Sequence, residues 1–171
     1  LFHLQEKYSK FLKLQFVALA PMEYWTTIEG EKLAQIIKKN DGIIGGVIVP
    51  PFNKKKFANL IRTTLLLADK YQLEVDFHID ESSTEPGAGI KLLIKILNQL
   101  EIKVPITCSH LSSISLLKNG QINSLALELA ERDIKVVALP MTNFWLLNRN
   151  EINTPLERPI APIKQLQNSL V

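Results

Sequence analysis

The stretch Leu73-Glu-Val-Asp-Phe-His-Ile-Asp-Glu81 has the alternation of a β-strand and runs directly into polar residues. Successive side chains of a strand point to opposite faces, so one face is apolar and holds Val75, Phe77 and Ile79. The other face is ionisable and holds Glu74, Asp76, His78 and Asp80. Burying so many charges is costly unless they bind a metal, pair with one another or meet water at a cavity.

The position of these polar residues favours a site over an ordinary surface strand. They crowd toward the C-terminal end of the strand, which is the end where parallel α/β sheets build their active sites. An edge strand with a solvated face is the alternative that alternation alone leaves open. We interpret this strand end as the functional site.

Five predicted strands recur at nearly constant intervals. They start near residues 15, 43, 73, 104 and 134, a period of about 30 residues that is typical of repeated βα units. No GxGxxG or Walker-type loop follows any strand, which disfavours a nucleotide-binding sheet. Five strands are more than half of an eight-stranded barrel. We therefore predict an α/β fold, a fragment of a (β/α)₈ TIM barrel with about five parallel strands and flanking helices.

Apolar periodicity also predicts the extent of each element. The predicted strands are residues 15–20, 43–49, 73–81, 104–109 and 134–139. The predicted helices are residues 1–14, 29–39, 57–71, 90–100 and 121–132. A long loop is predicted over 141–157, and a last helix is predicted to start near Arg158-Pro159, where proline suits a first turn.

Composition limits the class of protein. The chain has 171 residues, of which 46% are hydrophobic and 22% charged, values typical of a soluble globular domain. Its longest apolar runs, 42–51 and 63–68, are too short to span a bilayer, and residues 1–14 lack a signal-peptide pattern. The single cysteine, Cys108, excludes an internal disulfide and fits a reducing compartment. We therefore expect a cytoplasmic protein without a membrane partner.

The charge pattern gives little reason to expect a nucleic-acid partner. The net charge is only +3, and most lysines are scattered. The one cluster, Lys54-Lys55-Lys56, is interpreted as a solvated helix start. The chain begins at Leu1 without a methionine, apparently inside a helix, so we expect it to be a piece of a longer protein.

Two histidines follow the pattern of a shared metal site. His78 and His110 lie at the ends of consecutive predicted strands, one βα unit apart. Adjacent parallel strands are about 4.8 Å apart, so two imidazoles at their C-terminal tips can reach one metal ion. Either histidine alone would be interpreted as structural, and His3, within a predicted helix, is interpreted so.

Two carboxylates border His78. Glu81 lies just beyond the strand and could take a proton from a metal-bound water and pass it to a leaving nitrogen. It could also be an ordinary loop glutamate before the Ser-rich stretch 82–84. Asp80 is predicted to lie on the inner face, where it could orient a ligand or pair with a lysine or arginine.

The order of three motifs resembles one known family. Val75-Asp-Phe-His-Ile-Asp-Glu81, Thr107-Cys-Ser-His110 and Val137-Ala-Leu-Pro-Met-Thr-Asn143 are similar in sequence and spacing to the cytosine deaminase branch of the amidohydrolase superfamily. The likeness extends from about Gln15 to Gln167. It corresponds to the middle of the family's barrel, from the third strand to the helix after the seventh.

The resemblance implies that residues 1–171 are the central part of one metal-dependent hydrolase barrel domain. It implies one divalent metal ion, iron or zinc, and a small heterocyclic substrate. His78 would match a metal ligand, and Glu81 would match the acid/base that moves protons to the substrate ring. His110 would match either a metal ligand or a catalytic contact to the attacking water and substrate.

The chain departs from the family pattern in three respects. It has no His-x-His pair for a first strand, and no aspartate that could end an eighth strand, because Asp133 lies at the wrong end of its strand. The glutamine that reads cytosine is also missing from residues 20–25. Glu23, Trp25 and Asn143 are the residues that we predict to bind the substrate instead, with Met22 and Trp145 as further rim candidates.

Two functions remain open at this stage. The first is a metal-dependent amidohydrolase that deaminates a cytosine-like nitrogen heterocycle, with an incomplete site in the 171 residues alone. The second is a non-catalytic barrel remnant that acts as a binding or structural module, as the missing ligands suggest. A homo-oligomer is compatible with both.

Overall fold

The computed structural model describes residues 2–147 and 158–171. Five parallel strands form one sheet in the sequential order β1-β2-β3-β4-β5. The strands are Val17–Leu19 (β1), Ile43–Ile48 (β2), Val75–Ile79 (β3), Ile106–His110 (β4) and Lys135–Val137 (β5). The five predicted strands are therefore all present and parallel.

Helices connect and flank these strands. They are Phe2–Tyr8 (α1), Ile28–Lys39 (α2), Lys54–Tyr71 (α3), Ala88–Leu97 (α4), Asn119–Ala130 (α5), Pro140–Leu146 (α6) and Ile163–Asn168 (α7). Two 3₁₀ helices, Met22–Thr26 and Ser112–Leu116, follow β1 and β4. Because parallel neighbours cannot be joined by a tight turn, each strand is followed by a crossover that returns the chain to the same end of the sheet.

The two faces of the sheet differ in environment. One face packs against the helices, and its residues Ile44, Ile48, Val75, Phe77 and Ile79 are at most 1% exposed. On the opposite face Val17, Leu19, Val47 and Val137 are 37–49% exposed. Asp76 and His78 lie on this more open face, half-buried, as strand alternation predicts. The ionisable face of β3 therefore borders a space that a ligand can reach.

Local signals explain where the helices begin. Helix α3 begins three residues before the predicted start, since the Asn53 side chain accepts a hydrogen bond from the Lys56 N–H and caps the helix. Helix α2 is capped in the same way by Thr27, which accepts from Gly30 N. Strong apolar periodicity and a local cap thus explain both helices.

Three sequence-based boundaries are corrected by the structure. The first helix ends at Tyr8 rather than residue 14. The predicted loop 141–157 contains most of α6, which starts with Pro140 at a first-turn position where its missing N–H costs nothing. The last helix starts at Ile163, after Pro162, and not near Arg158. The rest of the predicted loop, 148–157, lies outside the described residues.

Within the part of the chain that the structure describes, no helix has both the length and the apolar character needed to cross a bilayer.

Candidate active site

The ends of β3 and β4 bring two histidine rings together. The Cα of His110 is in register with Ile79, so strand alternation alone would direct His110 toward the helices. The backbone instead leaves the strand conformation there, with φ of 74° at His110 and 45° at Leu111. The His110 ring lies 5.0 Å from the His78 ring, centroid to centroid, with the planes at 63°.

Glu81 and Asn143 complete this group, which we call the rim cluster: His78, Glu81, His110 and Asn143. Oε1 of Glu81 is 3.3 Å from Nδ1 of His110. The Nδ2 of Asn143 is 3.2 Å from the same His110 nitrogen and 3.4 Å from Oε1 of Glu81. Asn143 belongs to α6 and is fully buried. The structure thus brings four of the six predicted site residues into one cluster.

Burial sets the charge states in the rim cluster. It lowers the pKa of the His110 imidazole to about 4, and the neighbouring His78 adds to this shift. His110 is therefore neutral near pH 7. Burial also raises the pKa of Glu81 above its ordinary value, while the charge of His78 acts in the opposite direction. A raised pKa moves a carboxyl group toward the range in which it can both accept and donate a proton.

Two groups lie beside Nδ1 of His110, the Asn143 amide and the Glu81 carboxyl group. A neutral imidazole has one donor and one acceptor nitrogen. An Asn143 Nδ2 that donates to Nδ1 places the proton of His110 on Nε2, which is then a hydrogen-bond donor. An Nδ1–H that donates to Glu81 Oε1 instead leaves Nε2 unprotonated, as a metal ligand must be.

His78 has the chemistry and the freedom of a metal ligand. Its side chain is half-buried and makes no hydrogen bond among the described residues. Imidazole suits both zinc and iron. No group of three or more His, Cys, Asp or Glu in the described ranges is arranged to hold a metal ion. The His78 imidazole is therefore of the kind that binds these metals, but a complete site would need further ligands.

Asp80 does not lie beside His78 as predicted. The residue has φ of 54° and a fully buried side chain. Its Oδ1 and Oδ2 accept hydrogen bonds from the N–H groups of Gly89 and Ile90, at 2.8 and 2.9 Å. Burial nevertheless raises the pKa of Asp80 to about 6, against the effect of these two donors. Asp80 thus binds the first turn of α4, and it forms no ion pair with a lysine or arginine among the described residues.

The local sequence explains this arrangement. The residue before α4 is Gly87, which has no side chain to cap the helix, so Asp80 supplies the acceptors from the strand end. Gly89 permits the close approach, because a Cβ there would lie 2.9 Å from Asp80 Oδ1. The glycine-rich stretch 87–89 is the signal by which this contact could have been found.

Glu23 and Trp25 lie on the 3₁₀ helix after β1 and have no polar contact with the rim cluster among the described residues. Trp25 is 2% exposed, and its indole N–H donates to the Gly45 carbonyl at 2.9 Å. Its position in the core gives no support to the predicted role in substrate binding. Glu23 is half-exposed and pairs with Lys56 at 2.6 Å, which lowers the pKa of Glu23. Its predicted contact with a substrate stays a prediction.

A further polar pair lies on the open face of the sheet. Ser109 is in register with His78 on the neighbouring strand, and its hydroxyl donates to Asp76 Oδ1 at 2.9 Å. Ser109 was not singled out from the sequence, although its place directly before His110 was the available signal. The pair connects β3 and β4 beside the rim cluster.

Comparison with solved structures defines the class of fold. The chain is similar to 5-methylcytosine deaminase from Klebsiella pneumoniae liganded with 5-fluorocytosine, with a TM-score of 0.77 and 19% identity over 99% of this chain. It is also similar to N-isopropylammelide isopropylaminohydrolase from Burkholderia multivorans ATCC 17616, with a TM-score of 0.70 and 16% identity over 98% of this chain. These likenesses confirm the predicted α/β fold, five parallel strands and flanking helices of a (β/α)₈ barrel.

A particular relative is recognisable by sequence. The chain is 25% identical over 165 residues to the pterin deaminase of Rhizobium rhizogenes (strain K84 / ATCC BAA-868), a match that covers 95% of this chain. No protein-family profile matches. Together with the motifs, this relative confirms the predicted relationship to the amidohydrolase superfamily and its cytosine-deaminase-like members. The chain spans 37% of the pterin deaminase and 41% of the Klebsiella enzyme.

Proposed function

We propose that the complete protein that carries this chain is a metal-dependent hydrolase that removes an amino group from a nitrogen heterocycle. The observation that carries this proposal is the rim cluster, where Glu81 lies within 3.4 Å of His110 and Asn143 at the C-terminal ends of two adjacent strands. The names of the similar proteins support it, because they describe deaminases and an aminohydrolase. They do not favour the non-catalytic alternative.

The proposed cofactor is one divalent metal ion, iron or zinc, held in part by His78. When bound, such an ion would supply Lewis-acid activation of a water molecule. His78 is assigned as a ligand because its imidazole is half-buried and makes no hydrogen bond among the described residues. The remaining ligands would come from other residues of the complete protein.

Glu81 is proposed to move the protons. The oxygen of water bonds to the ring carbon that bears the amino group, and Glu81 takes one proton from that water. Glu81 then delivers a proton to the amino nitrogen, and the carbon–nitrogen bond breaks to release ammonia. The raised pKa of Glu81 suits it to both halves of this transfer.

His110 and Asn143 are proposed to position the attacking water and the substrate ring. With Nδ1 accepting from Asn143, the Nε2–H of His110 is a donor for the attacking water or the substrate ring. The alternative, His110 as a second metal ligand through Nε2, requires the opposite tautomer. Asn143 is proposed as a substrate-binding residue because its Oδ1 is buried and has no partner among the described residues.

The proposed substrate is a planar amino heterocycle, either a pyrimidine of the cytosine type or a pterin. The chain lacks the glutamine expected for cytosine in residues 20–25. Its sequence relative is a pterin deaminase, and a pterin carries its amino group in a guanidine-like unit. A carboxylate such as Glu23 would suit such a donor-rich group.

The test is ammonia release by the complete protein from pterin, cytosine and 5-methylcytosine. Turnover of at least one is expected, and Glu81→Gln should lower kcat about 10²–10⁴-fold, the usual contribution of a general acid/base. Glu85→Gln, an exposed residue of the same loop, is the matched control and should keep full activity. Undiminished turnover in Glu81→Gln would contradict the assigned role.

Metal content provides the second readout. Plasma emission spectrometry of the complete protein should find near one equivalent of iron or zinc, lost in His78→Ala and retained in His3→Ala. His110→Ala should also retain the metal if its role is contact with water and substrate. A metal-free, folded and active protein would reject the metal-dependent mechanism.

A further inference from the structure

A basic groove lies between α3 and α4, on the side of the sheet that faces away from the open barrel face. The groove encloses about 530 Å³. Helix α3 lines one wall and helix α4 the other. The charged lining residues are Lys54, Lys55, Arg62, Lys91 and Lys95. No carboxylate is among the residues that line it within the described ranges.

None of the lysines and arginines that line this basic groove forms an ion pair within the described residues. Among the described residues, the lysines and arginines that form ion pairs are Lys56, Lys70 and Arg132. None of these three residues lines the groove. Arg62 instead hydrogen-bonds the Gln99 side chain across the groove. Lys91 donates to the Pro86 carbonyl at 3.5 Å, and its charge also acts to lower the pKa of the buried Asp80.

The helix dipoles strengthen the positive field. Both α3 and α4 begin beside the groove, and neither has an acidic residue in its first turn. A helix N-terminus carries partial positive charge, so acidic residues are usually favoured there and lysines are not. Lys54 and Lys55 therefore occupy positions that are unfavourable for the helix itself. An anionic partner bound in the groove would offset the repulsion between these lysines and the positive end of the helix dipole.

The floor of the groove is apolar. The small side chains of Ala58 and Ala88 leave space between the two helices. Leu92 and Ile96 contribute aliphatic surface to the lining. The α3 wall extends from Lys54 to Arg62, about 12 Å at the rise of an α-helix. Lys91 and Lys95 are four residues apart and project from the same side of α4. The groove thus presents an apolar floor between cationic walls.

We propose that the basic groove binds an acidic amphipathic helix of a partner protein. Such a helix places leucine-like side chains on the floor and carboxylates four residues apart against Lys91 and Lys95. Charge complementarity supplies the specificity. A single-stranded nucleic acid is the weaker candidate, since no aromatic residue lines the groove and bases bind by stacking on aromatic rings. This inference does not rest on the proposed deaminase activity.

The probe is a fluorescein-labelled 14-residue peptide with glutamates four residues apart on one side and leucines on the adjacent side. Fluorescence anisotropy with the complete protein at low salt should detect saturable binding. Lys91→Glu combined with Lys95→Glu should weaken binding about tenfold or more, because two attractive pairs become repulsive. Lys32→Glu combined with Lys39→Glu on α2 makes the same charge change elsewhere and should leave binding unchanged.

Several outcomes would overturn the proposal. They are no saturable binding, equal binding of a scrambled peptide, or equal weakening by both charge reversals. Displacement of the peptide by a lower concentration of tripolyphosphate or of a single-stranded oligonucleotide would also overturn it. If circular dichroism shows that the charge-reversal variant does not fold, Lys91→Gln combined with Lys95→Gln is tested in its place. This variant removes the two attractive pairs without adding repulsion, so it should weaken binding by a smaller factor, and unchanged binding would overturn the proposal.

Discussion

The amide nitrogen of Asn143 lies 3.2 Å from Nδ1 of His110, 33 residues earlier in the chain, and both side chains are buried. The same nitrogen is 3.4 Å from a Glu81 oxygen. One side chain of α6 thereby joins the ends of β3 and β4. If its amide nitrogen donates to Nδ1, the proton of His110 lies on Nε2.

Replacing Asn143 should therefore impair turnover. Asn143→Ala leaves the buried Nδ1 of His110 without its donor, a loss of about 1–3 kcal/mol or about 5–150-fold in kcat. Thr142→Ala, an exposed neighbour on α6, is the control. Steady-state kinetics with the accepted heterocycle provide the measurement. Equal kcat in both variants would remove Asn143 from the proposed reaction.

The contact of Asp80 with α4 should be visible in stability. Asp80→Ala leaves the buried N–H groups of Gly89 and Ile90 unpaired, which should lower the free energy of unfolding by about 2–4 kcal/mol. Asp69→Ala, at an exposed position of α3, should change it by less than about 0.5 kcal/mol. Urea titration of the complete protein measures both. A loss no larger for Asp80→Ala would mean that the helix start does not depend on this carboxylate.

Trp25 offers a test between a core and a substrate-binding role. Trp25→Phe keeps an aromatic ring but deletes the donor to the Gly45 carbonyl, and should cost about 1 kcal/mol of unfolding free energy. KM for the heterocycle should stay unchanged. Tyr24→Phe, next to it in the same 3₁₀ helix, is the control for stability. A KM raised several-fold in Trp25→Phe with unchanged stability would favour substrate contact.

Two helical glycines should respond in opposite directions to alanine. A Cβ on Gly30 would lie 2.1 Å from the Tyr24 carbonyl oxygen, so Gly30→Ala must displace backbone and should destabilise by about 1–3 kcal/mol. A Cβ on Gly120 meets nothing within 4 Å. Gly120→Ala should stabilise by about 0.4–1 kcal/mol, because alanine loses less backbone entropy in a helix. Thermal unfolding compares the two, and equal shifts of Tm would contradict the packing of α2 against the 3₁₀ helix.

Much of the architecture was predictable because it repeats locally. The period of about 30 residues and the apolar strands gave five parallel strands, and alternation in β3 correctly separated Phe77 from His78. The two histidines were expected at consecutive strand ends for the same reason, whereas the positive φ at His110 that brings their rings to 5.0 Å is not predicted by alternation. The predicted features depend on residues a few positions apart, so the sequence alone carries them.

Other features depend on residues that are distant in sequence. Strand alternation predicts that Asp80 lies on the same face as His78. The backbone instead has a positive φ at Asp80, and the carboxylate accepts hydrogen bonds from the buried N–H groups at the start of α4. Trp25 was predicted to bind a substrate because aromatic residues often line pockets. Its indole N–H instead donates to the carbonyl of Gly45, 20 residues later in the chain, and the side chain lies in the core.

By itself, the sequence determined the repeated βα units, the apolar core face and the strand ends that carry His78 and His110, because periodicity and burial act locally. Only the tertiary structure decided that Asn143 meets Glu81 across 62 residues, that Asp80 accepts from the first turn of α4 and that Trp25 donates to the Gly45 carbonyl in the core. Those outcomes follow from satisfying buried donors and acceptors, and the partners of such groups become known only when the packed elements bring them together.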